Sequence, residues 1–491
     1  MKKLIIIFIG ITTLVSCTKK FEEINTNTKL ATDSPGQYLY TGAQKNLVDI
    51  ITSANVNENV LRLFSQYWAQ TTYFDESRYD LITRDIAQNF WVALYRDVLK
   101  DLNTAKQNVQ AADVTTDPLT PSASAKINQI ATIEILECYT YYVALATWGN
   151  IPYTQALDIA ILQPKYDDGL FIHQALISKL SANIDSLSNS DEASSFSGGD
   201  IIYNGDNAQW IKFAATLKMK LALLLSDVPG QGAAAQTAFE SAAPMAMQSN
   251  SDDAIFHYLS TTPNNNPLAD DLNPELTARK DFVAANTIID YMNALNDPRL
   301  PGFFTSVTIN DTTEIYKGGI YGTSNSYSGK SQVNPSLYDF DAPSTLVSYT
   351  DIEFMLAEAA ERGWSVTGTA EQHYNAGITS SILMWGGTQT DADDYLANPD
   401  VAYSTAVGTW KQKIGMQNWL AMYNRGFEGW TSWRRYDAPL LNAPPAKSLS
   451  DIPTRYTYPI NEQTLNGANY SAASSAIGGD TKTTKLYWDK Y

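Results

Sequence analysis

Along most of this chain apolar positions return every three or four residues, the period of a helix with one buried face. In "DIAQNFWVALYRDVLKDL", Phe90, Leu94, Val98 and Leu102 recur every four residues, and Asp85 stands where a cap would. In "GDNAQWIKFAATLKMKLALLLSD", Trp210, Phe213, Leu217, Leu221 and Leu224 fall on one face. A helix over about 124–148 ends at Gly149-Asn150, a common stop signal. In "SYTDIEFMLAEAAERG", Thr350 and Glu353 fit a capping box and Gly363 fits the position just past the helix end. The same period predicts helices near 41–70, 172–188, 232–248, 281–295, 371–385 and 410–424. They come in pairs at roughly the repeat of tetratricopeptide units, about 34 residues, although the repeat consensus is not visible. Stacked pairs bury a shared core and leave a concave face. The pattern predicts a mostly α fold in a single body spanning 38–491 and only suggests a tetratricopeptide-like helix-pair superhelix.

Two stretches break the helical pattern. "STTPNNNPLADDLN" (260–273) and "GGIYGTSNSYSGKSQVNPSLYDFDAP" (318–343) are long, polar and rich in Gly, Asn and Ser, the second in Tyr as well. Loops of this length in a compact chain are usually functional or disordered, and their aromatic residues favour order. A third stretch, "QYWAQTTYFDESRYD" (66–80), places Tyr73, Phe74 and Tyr79 beside Asp75 and Arg78. Flat rings can stack on the apolar faces of sugars while carboxylate and guanidinium groups satisfy the hydroxyls. Peptides can use similar surfaces. Tyr316, Tyr321 and Tyr327 in the second loop could extend such a platform. The competing reading is that these rings pack loops onto the body, as most tyrosines do. A loop-rich, irregular ligand-binding part therefore accompanies the helical scaffold.

Charge narrows the partners. The 491 residues carry a formal net charge of −18. No basic run is present, which argues against nucleic acid and against anionic lipid surfaces. The N-terminus has a basic start, Lys2 and Lys3, and an apolar run from Leu4 to Val15 that is too short to span a bilayer. Leu14-Val15-Ser16 leads into Cys17, in the manner of a bacterial lipoprotein cleavage site. Residues 1–16 are then a lipoprotein signal peptide, Cys17 is lipidated, and the membrane is met through that anchor only. A flexible polar leader would cover 17–37, with regular structure starting near Tyr38. The other cysteine, Cys138, lies in an apolar helical run and reads as a buried thiol.

The search for catalytic chemistry is negative. There is no phosphate loop, HExxH, EF-hand or Gly-x-Ser-x-Gly pattern. His173, His257 and His373 are far apart, and His173 and His373 read as polar faces of helices. Asp270-Asp271 and Asp393-Asp394 are the chance pairs expected among 52 acidic residues. The oxygen-rich loop 264–273 has donors suited to Ca²⁺, but a solvated loop is the simpler reading. No catalytic residue, metal ligand or cofactor is assigned.

Several stretches in order carry a resemblance: "LVSC"; "WGNIPYTQAL" followed by "QPKYD"; "STLVSYTDIEFMLAEAAERG"; "RGFEGWTSWRRYDAP"; "DIPTRYTYPINEQTLNGANY"; and the closing "GGDTKTTKLYWD". Together they resemble the SusD/RagB-like outer-membrane lipoproteins of Bacteroidetes, in the second SusD-like subgroup, over nearly all of the mature chain. Read from the residues, Trp430, Trp433, Arg434 and Arg435 should lock the C-terminal segment to the body, and Pro152 and Pro459 should set loop exits. The resemblance implies a right-handed stack of helix pairs with ligand contacts on loops. It implies a cell-surface binder, without catalysis, that delivers glycan to a SusC-like TonB-dependent transporter in the outer membrane. Glu22 and Glu23 look similar to the acidic export signals of such lipoproteins. The aromatic arc of starch-binding members does not map onto this chain; only Tyr73 to Tyr79 sits where a binding loop of the family would. An oligopeptide-capture lipoprotein of the same fold, a surface glycosidase and a structural lid on a porin are the alternatives.

Overall fold

The first helix, α1 (Gly36–Thr52), begins two residues before the expected Tyr38. The computed structural model describes residues 34–114, 121–192, 194–310 and 312–491. The signal segment 1–16, Cys17, Glu22, Glu23 and most of the 17–37 leader lie outside the described residues. The helix expected over 41–70 is broken after Thr52 because Ser and Asn side chains capture the backbone. Asn55 N–H donates to Ser53 Oγ (3.0 Å), Asn57 N–H to Asn55 Oδ1 (3.1 Å) and Leu61 N–H to Asn59 Oδ1 (2.9 Å). The chain restarts as the short α2 (Leu61–Phe64) and enters strand β1 (Trp68–Gln70).

Next come α3 (Ile86–Val92), a π-helical stretch (Ala93–Leu99) and α4 (Lys100–Ala111), wound as one rod. The wider π winding holds more residues per turn, so positions four apart stay on one face, and Phe90, Leu94, Val98 and Leu102 are all buried. Asp85 does not cap this rod with its side chain; it takes a left-handed backbone (φ 52°) instead. Helix α5 (Ala123–Trp148) starts on Ser122, whose hydroxyl accepts the Ala125 N–H, and ends at Gly149 with φ 87°. It contains Cys138, fully buried, whose thiol pKa is pushed up by that burial. The pair β2 (Ile151–Pro152) and β3 (Tyr166–Asp167) leads to α6 (Gly169–Ser188), α7 (Asn207–Leu225) and α8 (Gly232–Ala242). Helix α8 stops earlier than its periodicity predicts because Pro244 cannot continue it. Helix α7 is buried on nearly every side, more than its one-face pattern implies.

Strands β4 (Ala254–Phe256) and β5 (Phe282–Ala284) flank the short α9 (Pro267–Leu272). Helix α10 (Asn286–Leu295) is shorter than expected because Phe282, Val283 and Ala284 pair with β1. A short apolar run of this kind does not declare helix or strand by period. Helix α11 (Leu300–Phe303), the hairpin β6 (Val307–Ile309) and β7 (Thr313–Ile315), and β8 (Ser344–Val347), which pairs with β4, complete the loop-rich half. The C-terminal helices are α12 (Tyr349–Glu361), α13 (Ala370–Met384), α14 (Gln389–Leu396), α15 (Trp410–Ala421), α16 (Gly426–Tyr436), α17 (Ile460–Leu465) and α18 (Gly467–Ala476). Sequential helices pack in pairs: α1 on the π–α4 rod, α5 on α6, α6 on α7, α7 on α8, α12 on α13 and α15 on α16. A single large core runs through them, with a smaller one between α12, α13 and α15.

Helix α16 lies outside the helices that the period predicts, and it carries two glycines. They are required by close approach. A Cβ on Gly426 would lie 2.6 Å from the Arg62 backbone nitrogen, and one on Gly429 2.1 Å from Tyr67 Oη. The expected capping box of α12 is displaced by two residues. Ser348 is the cap, and the Asp351 carboxylate accepts from its N–H (2.8 Å) and hydroxyl (3.0 Å). Thr350 instead meets Ser380 (2.8 Å), and Glu353 meets His373 (2.7 Å).

Buried charges tie the helices together. Asp351 pairs with Arg425 (2.8 Å) and Lys220 (3.2 Å), and Lys220 pairs with Glu428 (2.7 Å). Burial opposes the Asp351 charge, but Arg425, Lys220 and the Ser348 N–H outweigh it and hold the carboxyl far below the usual range. Arg434 donates to the carbonyls of Ala146 (2.6 Å) and Thr454 (3.0 Å) and lies 3.5 Å over the Trp430 ring. Arg435 binds Glu358 of α12 and the Leu223 carbonyl. These contacts lock the C-terminal segment as expected, with Trp433 packed partly buried beside them. Pro152 sits in β2, and Pro459 precedes α17.

Two tests follow from this packing. Asp351→Asn leaves Arg425 short of its partner in a buried place and should cost about 3–5 kcal/mol, read by chemical denaturation. The stability that Asp351 supplies is present above its unfolded pKa and is lost only as pH falls through its lower folded value. The two histidines titrate in opposite directions. His173 is buried, not on a polar face; its Nε2–H donates to the Leu221 carbonyl (2.8 Å) and its Nδ1 accepts from Tyr487 (2.6 Å). Burial lowers its pKa to about 4. His373 loses some charge preference to burial, but Glu353 and the Thr367 carbonyl more than restore it, so its pKa is raised. Below pH about 6.5 the unfolded chain binds the extra proton at His173, so stability rises with pH; above it the folded chain keeps the proton on His373, so stability falls. Stability from this pair should therefore peak near pH 6.5, checked by imidazole NMR titration; two shifts of the same sign would contradict it.

Candidate functional site

The segment 66–80 leaves the scaffold as β1, whose Trp68 and Gln70 lie opposite Ala284 and Phe282. It returns through a single 3-10 turn (Glu76–Arg78). The segment carries positive φ at three non-glycine residues: Gln66 (56°) before the strand, Tyr73 (51°) between strand and turn, and Tyr79 (71°) just after the turn. A bulky residue in the left-handed region is costly, about 1–2 kcal/mol, and such strain persists only where surrounding bonds over-determine it. Here the Gln70 amide does so. Its Nε2 donates to the Tyr73 carbonyl (2.9 Å) and to Glu76 Oε2 (2.6 Å), while its Oε1 accepts from the Ser77 N–H (3.0 Å) and hydroxyl (2.6 Å). Glu76, buried, is paired in turn with Arg84.

The long loop 318–343 is stitched to the same segment. Asn325 Nδ2 donates to the Gln70 carbonyl (2.9 Å), Ser324 Oγ to the Thr71 carbonyl (2.8 Å), and Arg78 Nε to the Gly322 carbonyl (2.9 Å). Arg78 also covers the Phe74 ring at 4.2 Å, and the Lys280 ammonium sits 5.3 Å from the Tyr327 ring centre. The outcome separates the expected rings. Tyr73 is 69% exposed, Asp75 is exposed, and Phe74, Arg78 and Tyr327 are half-buried. Tyr79 and Tyr321 are corrected: they are 1% and 2% exposed and have no face to offer. Tyr79 packs edge-on against Phe64 (5.8 Å) and beside Tyr321 (6.4 Å), whose hydroxyl donates to the Leu63 carbonyl (2.7 Å). Tyr316 is half-buried beside α10, its carbonyl accepting from Asn293.

What remains is one exposed ring, two partly exposed rings and a charged pair of opposite sign on a fixed loop. That arrangement can stack on a flat apolar face and bond hydroxyls around it. The residues read as possible Ca²⁺ donors go elsewhere. Asn266 caps α9, and Asp270 and Asp271 border an acidic groove of about 510 Å³ with Asp49 and Glu58. Burial first, then the neighbouring carboxylates, raise Asp271 to about 6 against the pull of Arg279. Among the described residues no group of three or more His, Cys, Asp or Glu is placed to hold a metal ion.

Sequence reasoning missed a second feature. A cavity of about 330 Å³ opens beside the far end of the same long loop, lined by Arg62, Trp385, Tyr423, Arg425 and Glu428, with Ser336 and Pro343 at its exposed rim. Its residues come from six separate parts of the chain, and no local motif marks them.

A family model described as "Starch-binding associating with outer membrane" matches residues 26–459. No curated protein matches the sequence. A solved chitin-binding protein is similar over 93% of this chain and 100% of its own, at 25% identity and a TM-score of 0.78. A SusD homologue from Bacteroides thetaiotaomicron is similar over 94% and 100%, at 22% identity and a TM-score of 0.76. A chitin-binding SusD homologue from Flavobacterium johnsoniae is similar over 92% and 98%, at 22% identity and a TM-score of 0.75. The last two establish a common fold, mostly helical as the periodicity implied. Among the described residues no helix is long and apolar enough to cross a membrane.

The burial of the two tyrosines makes a direct test. Tyr79→Ala should destabilise the fold by about 3–5 kcal/mol, the range for emptying a buried aromatic site. Tyr73→Ala should leave the denaturation midpoint unchanged or slightly raised.

Proposed function

The chain belongs to the SusD-like family, and from that premise we propose that it is a non-catalytic binding protein of the cell surface. It captures oligosaccharide or polysaccharide and passes it to a SusC-like TonB-dependent transporter in the outer membrane. The observation that carries this reading is the exposed Tyr73 ring, held in a strained backbone by the fully engaged Gln70 amide. A solvent-facing aromatic fixed at such cost has little structural use, since most of its surface faces water. Fixing the loop before binding spares the entropy of ordering it on contact. Tyr73 stacks on a sugar face, Phe74 and Tyr327 extend the apolar strip, and Asp75 and Arg78 bond the hydroxyls. The tether is the lipid on Cys17, with 17–37 as the leader that sets the body 38–491 off the membrane.

Binding without turnover is consistent with how the reactive side chains are used. His173 and His373 spend both ring nitrogens on structural partners, and the Cys138 thiol is buried. The likeness to chitin-binding proteins of this fold favours a glycan over a peptide as the cargo.

The test is affinity electrophoresis of the purified chain against starch, chitin oligosaccharides and other neutral glycans, with oligopeptides in parallel. At least one glycan should retard it, and Tyr73→Ala should weaken that retention about tenfold. Gln70→Leu, which leaves every ring in place, should weaken it as well by loosening the loop. Retention by peptides and by no glycan would overturn the reading. For the anchor, Cys17→Ser should abolish incorporation of labelled fatty acid and release the protein from the membrane fraction.

A further inference from the structure

The cavity beside the long loop is walled by charged groups that the fold leaves incomplete. Arg62 is 4% exposed, yet no Asp or Glu lies within ion-pairing distance of it among the described residues. Its Nε donates to Asn424 Oδ1 (3.0 Å), and its Nη1 to the carbonyls of Thr52 (2.7 Å) and Ser53 (3.1 Å). Its Nη2 has no partner. Arg425 spends Nη1 on Asp351 and Nη2 on the Leu346 carbonyl (2.8 Å), but its buried Nε is unpartnered. The buried Trp385 Nε1 is also unpartnered. One acceptor stands among these donors. Glu428 takes Lys220 on Oε2 (2.7 Å), leaving Oε1 buried and without a hydrogen bond, 4.0 Å from Arg425 Nη2.

The charge count is uneven. The charged side chains that line the cavity are Arg62, Arg425 and Glu428, a surplus of one positive charge. The Trp68 ring, 5.0 Å from the Arg62 guanidinium, offsets only part of the cost of burying a cation without a carboxylate partner, and burial lowers the guanidinium's pKa to about 10. A ligand that completes this wall therefore brings one negative charge that accepts hydrogen bonds. It also brings a hydroxyl for Glu428 and an apolar face for the Trp385 and Tyr423 rings. The volume, about 330 Å³, lies at the small end of ligand pockets and suits one sugar ring with its substituents. A free amino acid is a poorer match, because its ammonium cancels the charge it brings.

We infer that this cavity receives a hexuronate, the carboxylate-bearing unit of an acidic glycan, with its carboxylate on Arg62 and Arg425, a hydroxyl on Glu428 and its ring against Trp385. This rests on the glycan reading above and adds the substrate class. The long loop 318–343 links the two places, carrying Tyr327 at the platform and Ser336 and Pro343 at the cavity rim. A chain bound on the platform could thus be anchored at one end.

The experiment is calorimetry at pH 7 with the full-length chain and matched pairs: galacturonate against galactose and glucuronate against glucose. An N-acetylated dipeptide with a free carboxylate is the third probe. Each uronate should bind at least about tenfold tighter than its neutral parent, with affinity falling as salt rises. Arg62→Met should erase that preference, while retention on neutral glycans through Tyr73 persists. Trp385→Phe, which keeps an aromatic ring but loses the pyrrole part of the indole with its N–H, should weaken uronate binding severalfold while the protein stays folded, and it serves if Arg62→Met does not fold. Equal binding of acid and neutral sugars, or a dipeptide that binds as tightly as the uronates, overturns the inference. Neutral-glycan retention without any uronate preference overturns the inference alone, whereas failure to bind any sugar removes the glycan reading with it.

Discussion

Lys220, Asp351, Arg425 and Glu428 form a buried chain of alternating charge that joins α7, α12 and the start of α16. Taking four charges from water is expensive, and their mutual attraction roughly repays it only while every member is present. The value of the chain lies in register. Asp351 also accepts from the Ser348 N–H, so one carboxylate fixes where α12 begins and which way α16 departs. A second set, Glu358 with Arg435 and Arg362, and Arg362 with Asp227, repeats the arrangement further along α12. Two helices pinned at both ends cannot slide, and the loops they support inherit that rigidity.

The division of labour follows from this frame. The helical pairs bury many of the large aromatic side chains, including Trp148, Trp210, Trp419 and Trp430. The irregular half between β4 and β8 keeps its shape through side-chain bonds to backbone carbonyls, as Asn325 shows with three of them. Such bonds tolerate sequence change in the exposed positions between them. A scaffold of this kind can hold different ring-and-hydroxyl patterns on an unchanged body, so fold alone does not name the cargo.

Much of the scaffold was legible because burial imposes a period. Phe90, Leu94, Val98 and Leu102, or Trp210 to Leu224, declare their buried face along the chain. What lay beyond reach was set by contacts between distant segments. Helix α16 was not legible because the crossing with α2 that requires Gly426 and Gly429 is not local. Tyr73 and Tyr79 are six positions apart, of the same type and in the same polar company, yet one is exposed and the other sealed under Lys482 and Phe64. The left-handed backbone at both tyrosines and the 3-10 turn between them decide this, and neither residue announces it. The cavity is the extreme case, since Arg62, Trp385, Arg425 and Glu428 meet only after the helices have packed. His173 was misjudged for a related reason: its neutral ring needs the Leu221 carbonyl and Tyr487, which arrive from two other parts of the chain.

The central claim is that a rigid helical frame holds glycan on a pre-set aromatic loop and leaves its bonds intact. The most direct measurement is a crystal structure of the protein soaked with the glycan that retains it best. The account predicts an uncleaved sugar stacked on Tyr73, within reach of Asp75 and Arg78, with the 66–80 backbone unmoved. Sugar bound elsewhere with Tyr73 still facing solvent, or density for a cleaved product, would contradict it.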